Sequence, residues 1–416
     1  SKLPENNRWG IYPAIGASWD LDNVLSIDQS GWLSMVSLNG GIGQSGLLPG
    51  EDNLWKSDIR TIGNYNTLTG VTRYARENED YTSPVSNNIN AGVKLGLFGN
   101  AVFVNAEYFS NDIKDFQYQV MSPNTVGFSE EVKNGIGIKN TGANFSISAN
   151  TNLGGISWNM GLLASVIANE VTAMPEDANN VLYGSISEGR PLNGFYVYAS
   201  DGYYATDAEV PVDPVTGYKL SYSGVELGAG MPKFLDKNGD YTLDQNDKYY
   251  VGSQQPDVYG GFSNTFELKG FYLDALFSYA FGGSILVESV NNRYSSNVNE
   301  YNRGMFESLG VETDYYLLNT TDDGDVSMQG IAAIEKASYI RLNNLTFGYR
   351  LGDSALAKMG LQSGRIFITG KNLFTGKSGY SGLDPEEYWN SINAFNLGTT
   401  GVPQYKSVSI GLSIGL

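Results

Sequence analysis

The twelve residues DKNGDYTLDQND at 236–247 carry the spacing best suited to chemistry in this 416-residue chain. Asp236, Asn238, Asp240, Thr242, Asp244 and Asp247 fall at positions 1, 3, 5, 7, 9 and 12 of an EF-hand-like calcium loop. There, alternate residues turn oxygens inward and the seventh offers its backbone carbonyl. Two departures bear on that expectation. Tyr241 stands at the sixth position, where glycine makes the sharp turn, and Asp247 replaces the longer bidentate glutamate. With an ion this is a structural Ca²⁺ site; without one it is an Asx-rich turn. Loop aromatics form the second group. Tyr196 and Tyr198, Tyr203, and the pair Tyr388 and Trp389 are candidates to stack on sugar rings or to pack against a partner. They can equally pack among themselves. The acidic clusters ENED (77–80), TDDGD (321–325) and DPEE (384–387) read as solvated loop surface ahead of cation sites or binding rims.

Composition removes most other chemistry. The chain has no cysteine and no histidine, which excludes disulfide scaffolds, thiolate or imidazole metal sites and Ser-His-Asp catalysis. Glu386 and Glu387 are neighbouring carboxylates, but nothing sets two carboxyl groups across a substrate as glycoside hydrolysis requires. No enzyme is expected and no cofactor is required. A formal charge of −18 argues against nucleic acid, whose phosphates need a basic footprint. No apolar run approaches the ~20 residues of a membrane helix. The opening residues SKLPENNRWG form no signal peptide, so the sequence is expected to be mature, trimmed or a fragment.

The elements that must carry these loops repeat with period two rather than 3.6. In AVFVNAEYF (101–109), Val102, Val104, Ala106 and Tyr108 alternate with Phe103, Asn105 and Glu107. Ala143, Phe145, Ile147 and Ala149 share one face, as do Ile156, Trp158, Met160, Leu162, Ala164 and Val166. Phe271, Leu273, Ala275, Phe277, Tyr279 and Phe281 lie opposite Asp274 and Ser278. Tight reversals at FGN (98–100), LGG (153–155) and LKG (268–270) alternate with long polar stretches at about 45–88, 110–140, 170–257, 283–337 and 375–403. Short turns at one end and long loops at the other are the signature of a transmembrane barrel. The chain ends on a strand in which Val408, Ile410, Leu412, Ile414 and Leu416 face one way and Ser407, Ser409, Gly411, Ser413 and Gly415 the other. Lipid leaves backbone groups unsatisfied unless a barrel closes, so such a strand is predicted to show its aliphatic face to lipid. Trp9, Tyr12, Trp19, Tyr339, Phe347 and Tyr349 are placed near strand ends, where interfacial girdles form.

Eleven strands are predicted, at roughly 9–19, 31–44, 88–98, 101–112, 137–151, 156–169, 258–268, 271–282, 338–350, 364–374 and 404–416. An odd number, with ends on opposite faces, does not make a complete single-chain bacterial barrel. The expectation is an all-β chain, 1–416, forming the C-terminal half of a larger antiparallel transmembrane barrel.

Four segments carry a family resemblance: NRWGIYPAIGASW (7–19), PDVYGGFSNTFELKGFYLDALFSYAFGG (256–283), ASYIRLNNLTFGYRL (337–351) and RIFITGKNLFTGKSGYSGLDPE (365–386). Together they resemble the C-terminal hairpins of the SusC/RagA-like TonB-dependent outer-membrane transporters, and the 236–247 loop resembles one common in that family. The resemblance implies a barrel of about 22 strands, an N-terminal plug and a TonB-contacting segment, both missing from this chain. It also implies the outer membrane of a Gram-negative bacterium and a SusD-like surface lipoprotein as lid. Active import of oligosaccharides or peptides is the implied function. The alternatives are a non-transporting scaffold barrel in an outer-membrane assembly and, behind it, a passive pore. The transported substrate is not legible in the residues.

Overall fold

The computed structural model describes residues 2–415 except 23, 49–52, 66–67, 122–123, 176–185, 230, 289–314, 321–325, 381–383 and 387–403. Strands β1 (Ala14–Asp20) and β2 (Leu33–Gly46) are followed by a hairpin, β3 (Asp58–Tyr65) and β4 (Leu68–Arg76). The wall continues with β5 (Val85–Leu97), β6 (Val102–Met121), β7 (Glu130–Leu153) and β8 (Ile156–Ala173). An excursion holds β9 (Gly194–Tyr203), β10 (Ser221–Tyr222), β11 (Val225–Glu226), β12 (Pro232–Phe234), β13 (Thr242–Leu243) and β14 (Lys248–Ser253). β15 (Val258–Leu268) and β16 (Phe271–Phe281) return to the wall, and β17 (Ser284–Glu288), β18 (Tyr315–Thr320) and β19 (Val326–Lys336) leave it again. β20 (Ser338–Arg350), helix α1 (Asp353–Met359), β21 (Ser363–Ser378) and β22 (Ser407–Gly415) complete the chain.

The wall is a single antiparallel path, β1-β2-β5-β6-β7-β8-β15-β16-β20-β21-β22, so the eleven predicted strands are those observed, with shifted ends. Residues 9–13 lie outside β1. Register explains why the path holds. Val104, Ile147, Leu162, Phe262, Phe277, Leu342 and Phe374 pair in turn across seven strands as one unbroken apolar row. The row Asn150, Asn159, Thr265, Asp274, Thr346, Thr369 and Ser409 lies on the opposite face and is wholly polar. A one-residue slip anywhere would swap the faces, so lipid on one side and lumen on the other fix the pairing. On β22, Val408, Ile410, Leu412 and Ile414 are 65, 80, 63 and 51% exposed, which suits a lipid-facing surface and not a water-facing one. Leu416 lies outside the described residues. No helix among the described residues is long and apolar enough to cross a membrane.

At one end the turns after β5, β7 and β15 are tight, and the twelve-residue segments after β1 and β20, the second carrying α1, lie at that end too. Phe98, Gly99 and Asn100, then Gly154 and Gly155, then Lys269 and Gly270 all take positive φ. Aromatics gather above them: Trp158 stacks on Phe266 at 6.1 Å, and Phe271 meets both Phe347 and Tyr349. Trp19 is exposed on β1, whereas Trp9 and Tyr12 precede that strand. Tyr339 departs from the girdle expectation. It is 8% exposed, on the polar face beside Arg341.

The other end is more ordered than long loops would be. The stretch 110–140, predicted as a connection, is mostly strand, because β6 runs to Met121 and β7 starts at Glu130. Asp115, with φ +56, sits in a bulge between Ile113 and Phe116. That bulge shifts the alternation by one residue and hides it from a period-two reading. Tyr118, Ile136, Ile138 and Val171 close a core there. The 45–88 stretch contains β3 and β4, and β4 docks parallel on the start of β7. The 283–337 stretch carries β17 and β19, which pair with each other and so prolong the β16–β20 ladder beyond the wall. β18 joins β19 to β9.

Candidate functional site at the loop end

The excursion between β8 and β15 folds around its own core of Tyr198, Tyr204, Val210, Leu220, Leu227, Phe234 and Leu243. This core positions the 236–247 loop. Asp236 accepts backbone N–H bonds from Gly239 at 2.7 Å and from Tyr241 at 2.9 Å. Tyr241 takes φ +61, so the sixth position turns left-handed as the calcium spacing demands, in spite of its side chain. Asp240 accepts from Thr242, and Asp244 from Asn246. Asn238 donates its side-chain amide to Asp240. Asp247 is fully buried and accepts from Lys237 at 2.9 Å and Asp244 at 2.8 Å. Burial pushes its carboxyl above the ordinary aspartate value, against the pull of those N–H donors. Nested Asx turns thus realise the spacing, and among the described residues no three acidic side chains converge as a metal-binding group.

The loop aromatics divide. Tyr198 is a core residue, 5% exposed and packed edge-on against Tyr222 and Phe234, so it is withdrawn from the surface-stacking set. Burial also drives its phenol pKa up. Tyr196 is half-buried and meets Tyr250 edge-on at 5.6 Å. The backbone places Tyr203 at the end of β9; its side chain, and the whole of Tyr388 and Trp389, lie outside the described residues. The acidic clusters divide. Glu77, Glu79 and Asp80 of ENED are exposed, as solvated loop surface, while Asn78 between them donates to the Val132 carbonyl. Asp384 and Glu386 of DPEE grip Arg341. TDDGD lies outside the described residues.

A cavity of about 940 Å³ opens between the β3–β4 hairpin and the tops of β6 and β7, and sequence reasoning missed it. Its wall includes Ser57, Asp58, Arg60, Tyr74, Gln119 and Glu130. Arg60 bonds Asp58 at 2.8 Å and lies 3.3 Å above the Tyr74 ring. Gln119 donates to Glu130. Behind the wall, Tyr81 is fully buried and its hydroxyl donates to Gln117. The only local signal was Asp-x-Arg in a polar strand, which many surface strands share.

No family model matches the chain. It is 24% identical, over its whole length, to TonB-dependent receptor P3 of Formosa agariphila, covering 41% of that protein. It is also 24% identical over 93% of its length to TonB-dependent receptor SusC of Bacteroides thetaiotaomicron, covering 38% of it. Among solved structures, the RagAB peptide transporter superposes with a TM-score of 0.71 at 22% identity, over 99% of this chain and 44% of that one. The chain therefore spans less than half the length of these relatives.

Proposed function

This chain has the SusC/RagA-like outer-membrane barrel fold, and from that premise we propose that the whole protein is a TonB-dependent importer of oligosaccharides or peptides. The observation that carries the reading is the contrast between the two ends of the wall. One end has short connections, of two residues after β7 and β15 and four after β5, together with twelve-residue segments after β1 and β20. The other supports a folded apparatus with separate hydrophobic cores and a large polar cavity. A passive pore has no use for such an apparatus, whereas capture before import does.

In this reading a plug and a TonB-contacting segment belong to the part of the protein beyond this chain. A SusD-like lipoprotein covers the loop end. A structural Ca²⁺ in the 236–247 loop would bring Asp240 and Asp244 off their backbone partners and neutralise the buried Asp247. Elsewhere among the described residues no three acidic side chains converge as a metal-binding group.

Affinity purification of the tagged full-length protein from native outer membranes tests the partner. A co-purifying surface lipoprotein is expected. Uptake of labelled oligosaccharide and peptide pools, with and without TonB, tests the activity. TonB-independent uptake would leave a pore, and no uptake with a stable multiprotein complex would leave the scaffold reading.

A further inference from the structure

We propose that the cavity beneath the β3–β4 hairpin is a subsite for an uncharged oligosaccharide, an inference that rests on the import reading. Three observations carry it.

The wall is charge-balanced. It contains two cations, Lys56 and Arg60, and two carboxylates, Asp58 and Glu130. Arg60 is already hydrogen-bonded to Asp58 and stacked on Tyr74, and Glu130 already accepts from Gln119. A ligand therefore need bring no charge of its own. In a chain of net charge −18, a uronate or sulfated sugar would meet repulsion that this charge-balanced wall does not offset.

The polar groups are of the kind that bind vicinal hydroxyls. Planar amides, carboxylates and a guanidinium offer paired donors and acceptors at fixed separation, and Gln117, Gln119, Asp58, Glu130 and Arg60 supply all three types. Tyr74 adds aromatic surface with one face covered by Arg60, and Tyr118 is largely buried in the core beneath.

One wall group is unsatisfied. The Ser57 hydroxyl is buried and has no hydrogen-bond partner within the protein. Buried polar groups are almost always paired, so this hydroxyl marks a place where a partner is supplied from outside. The hydroxyl is screened from the cavity in this conformation, and a change of its χ1 rotamer would be needed to bring it to a ligand. A ligand hydroxyl can donate and accept at once, which suits Ser57 better than a group limited to one role.

The cavity lies between elements that the chain holds together independently of any ligand. β4 is pinned to β7 through Ala75–Glu130 and Arg76–Glu131, and Tyr81 ties the following segment to Gln117. The site is thus preformed, as ligand sites usually are.

The test uses the full-length protein, with whatever partner co-purifies, and titration calorimetry against three probe sets. These are short neutral glucans, the corresponding uronate oligosaccharides, and a peptide mixture of similar size. Binding of at least one neutral glucan is expected, weakened by about tenfold or more in Gln119→Ala and in Ala75→Phe, which fills the cavity. Heat-modifiable migration of each variant confirms that the barrel still folds. Glu226→Gln, at an exposed position of the excursion outside the cavity wall, is expected to retain neutral-glucan binding. Binding of only uronates or only peptides overturns the proposal, and so does neutral-glucan binding indifferent to both cavity variants. TonB-dependent uptake of peptides alone would overturn the sugar subsite while leaving import standing. Absence of TonB-dependent uptake for every probe would remove the import reading itself.

Discussion

Arg341 holds the carboxylate of Asp384 against the polar face of β20, tying the segment after β21 to the wall. The guanidinium is 2% exposed, and its other terminal nitrogen meets Glu386 at 2.6 Å. The two sequence stretches involved, ASYIRLN and LDPE, are more than forty residues apart and meet only because β20 and β21 pair.

Breaking this triad should rank in a definite order. Arg341→Ala leaves two carboxylates without their cation and should be the most damaging, at about 3–5 kcal/mol for a buried pair broken from one side. Asp384→Ala removes the more buried carboxylate, 9% exposed, and should follow. Glu386→Ala should cost least, because its side chain is 34% exposed and already partly hydrated. Protease sensitivity after Ser378, compared across the three variants, reads the order. Equal sensitivity would mean that the triad does not anchor this segment.

The final strand allows a test of which face meets lipid. Ile410 and Ser409 are neighbours with opposite orientations, paired to Ile368 and Thr369. Ile410→Arg should cost about 2–4 kcal/mol if the site lies near the midplane. Ser409→Arg places the same charge towards the lumen and should be far milder. Urea unfolding in lipid vesicles measures both. Equal losses would contradict a lipid-facing Ile410.

Much of this wall could be read from residue alternation. FYLDALFSYAF announces β16 because every odd residue is apolar, and the register places each of them beside an apolar or small partner from β15 and β20, apart from Asn264 beside Ala275. The extension of β6 could not be read, because Asp115 in its bulge changes the phase in mid-strand. Tyr198 was misjudged for a different reason. Its burial depends on Phe234 and Leu243, which lie more than thirty residues later and become neighbours only when β12 pairs with β9. The cavity is harder still, since residues 53–60, 74–75, 117–119 and 130–132 share no local signature. The calcium-like spacing was legible to the residue. What it cannot encode is whether each carboxylate faces an ion or a backbone N–H.

An amide on the lipid face gives a third prediction. Asn264 belongs to the row that pairs with Met160 and Ala275, both apolar. Its side-chain oxygen is satisfied by the Trp158 indole N–H at 3.0 Å. Trp158→Phe keeps the stacking on Phe266 but leaves that oxygen in hydrocarbon, and should cost about 1–3 kcal/mol. Adding Asn264→Leu should recover most of the loss, because removing both partners of a polar pair is nearly neutral. A double-mutant cycle by vesicle unfolding gives the coupling. Strict additivity of the two changes would show that the bond contributes nothing.

Asp247 gives a prediction for pH and calcium together. Burial raises its folded pKa above the ordinary 3.8, with the nearby Asp236 charge adding to the rise. A carboxyl with a raised folded pKa binds its proton more tightly when folded, so ionisation costs stability. The penalty is absent below 3.8, grows as pH rises through the folded value, and is fully present at neutral pH. A hard cation coordinated by the loop would neutralise the buried charge and cancel that penalty, and it would have little to cancel in acid. Ca²⁺ should therefore slow proteolysis of the 231–253 segment at pH 7 and change it little near pH 4, with EGTA reversing the neutral-pH effect. Asp247→Asn should abolish the calcium response. It should also loosen the loop at both pH values, because one amide oxygen cannot accept from Lys237 and Asp244 as two carboxylate oxygens do. Proteolysis at pH 7 that is the same with Ca²⁺ and with EGTA would rule out an ion here, and the nested Asx turns would then be the loop's complete structure.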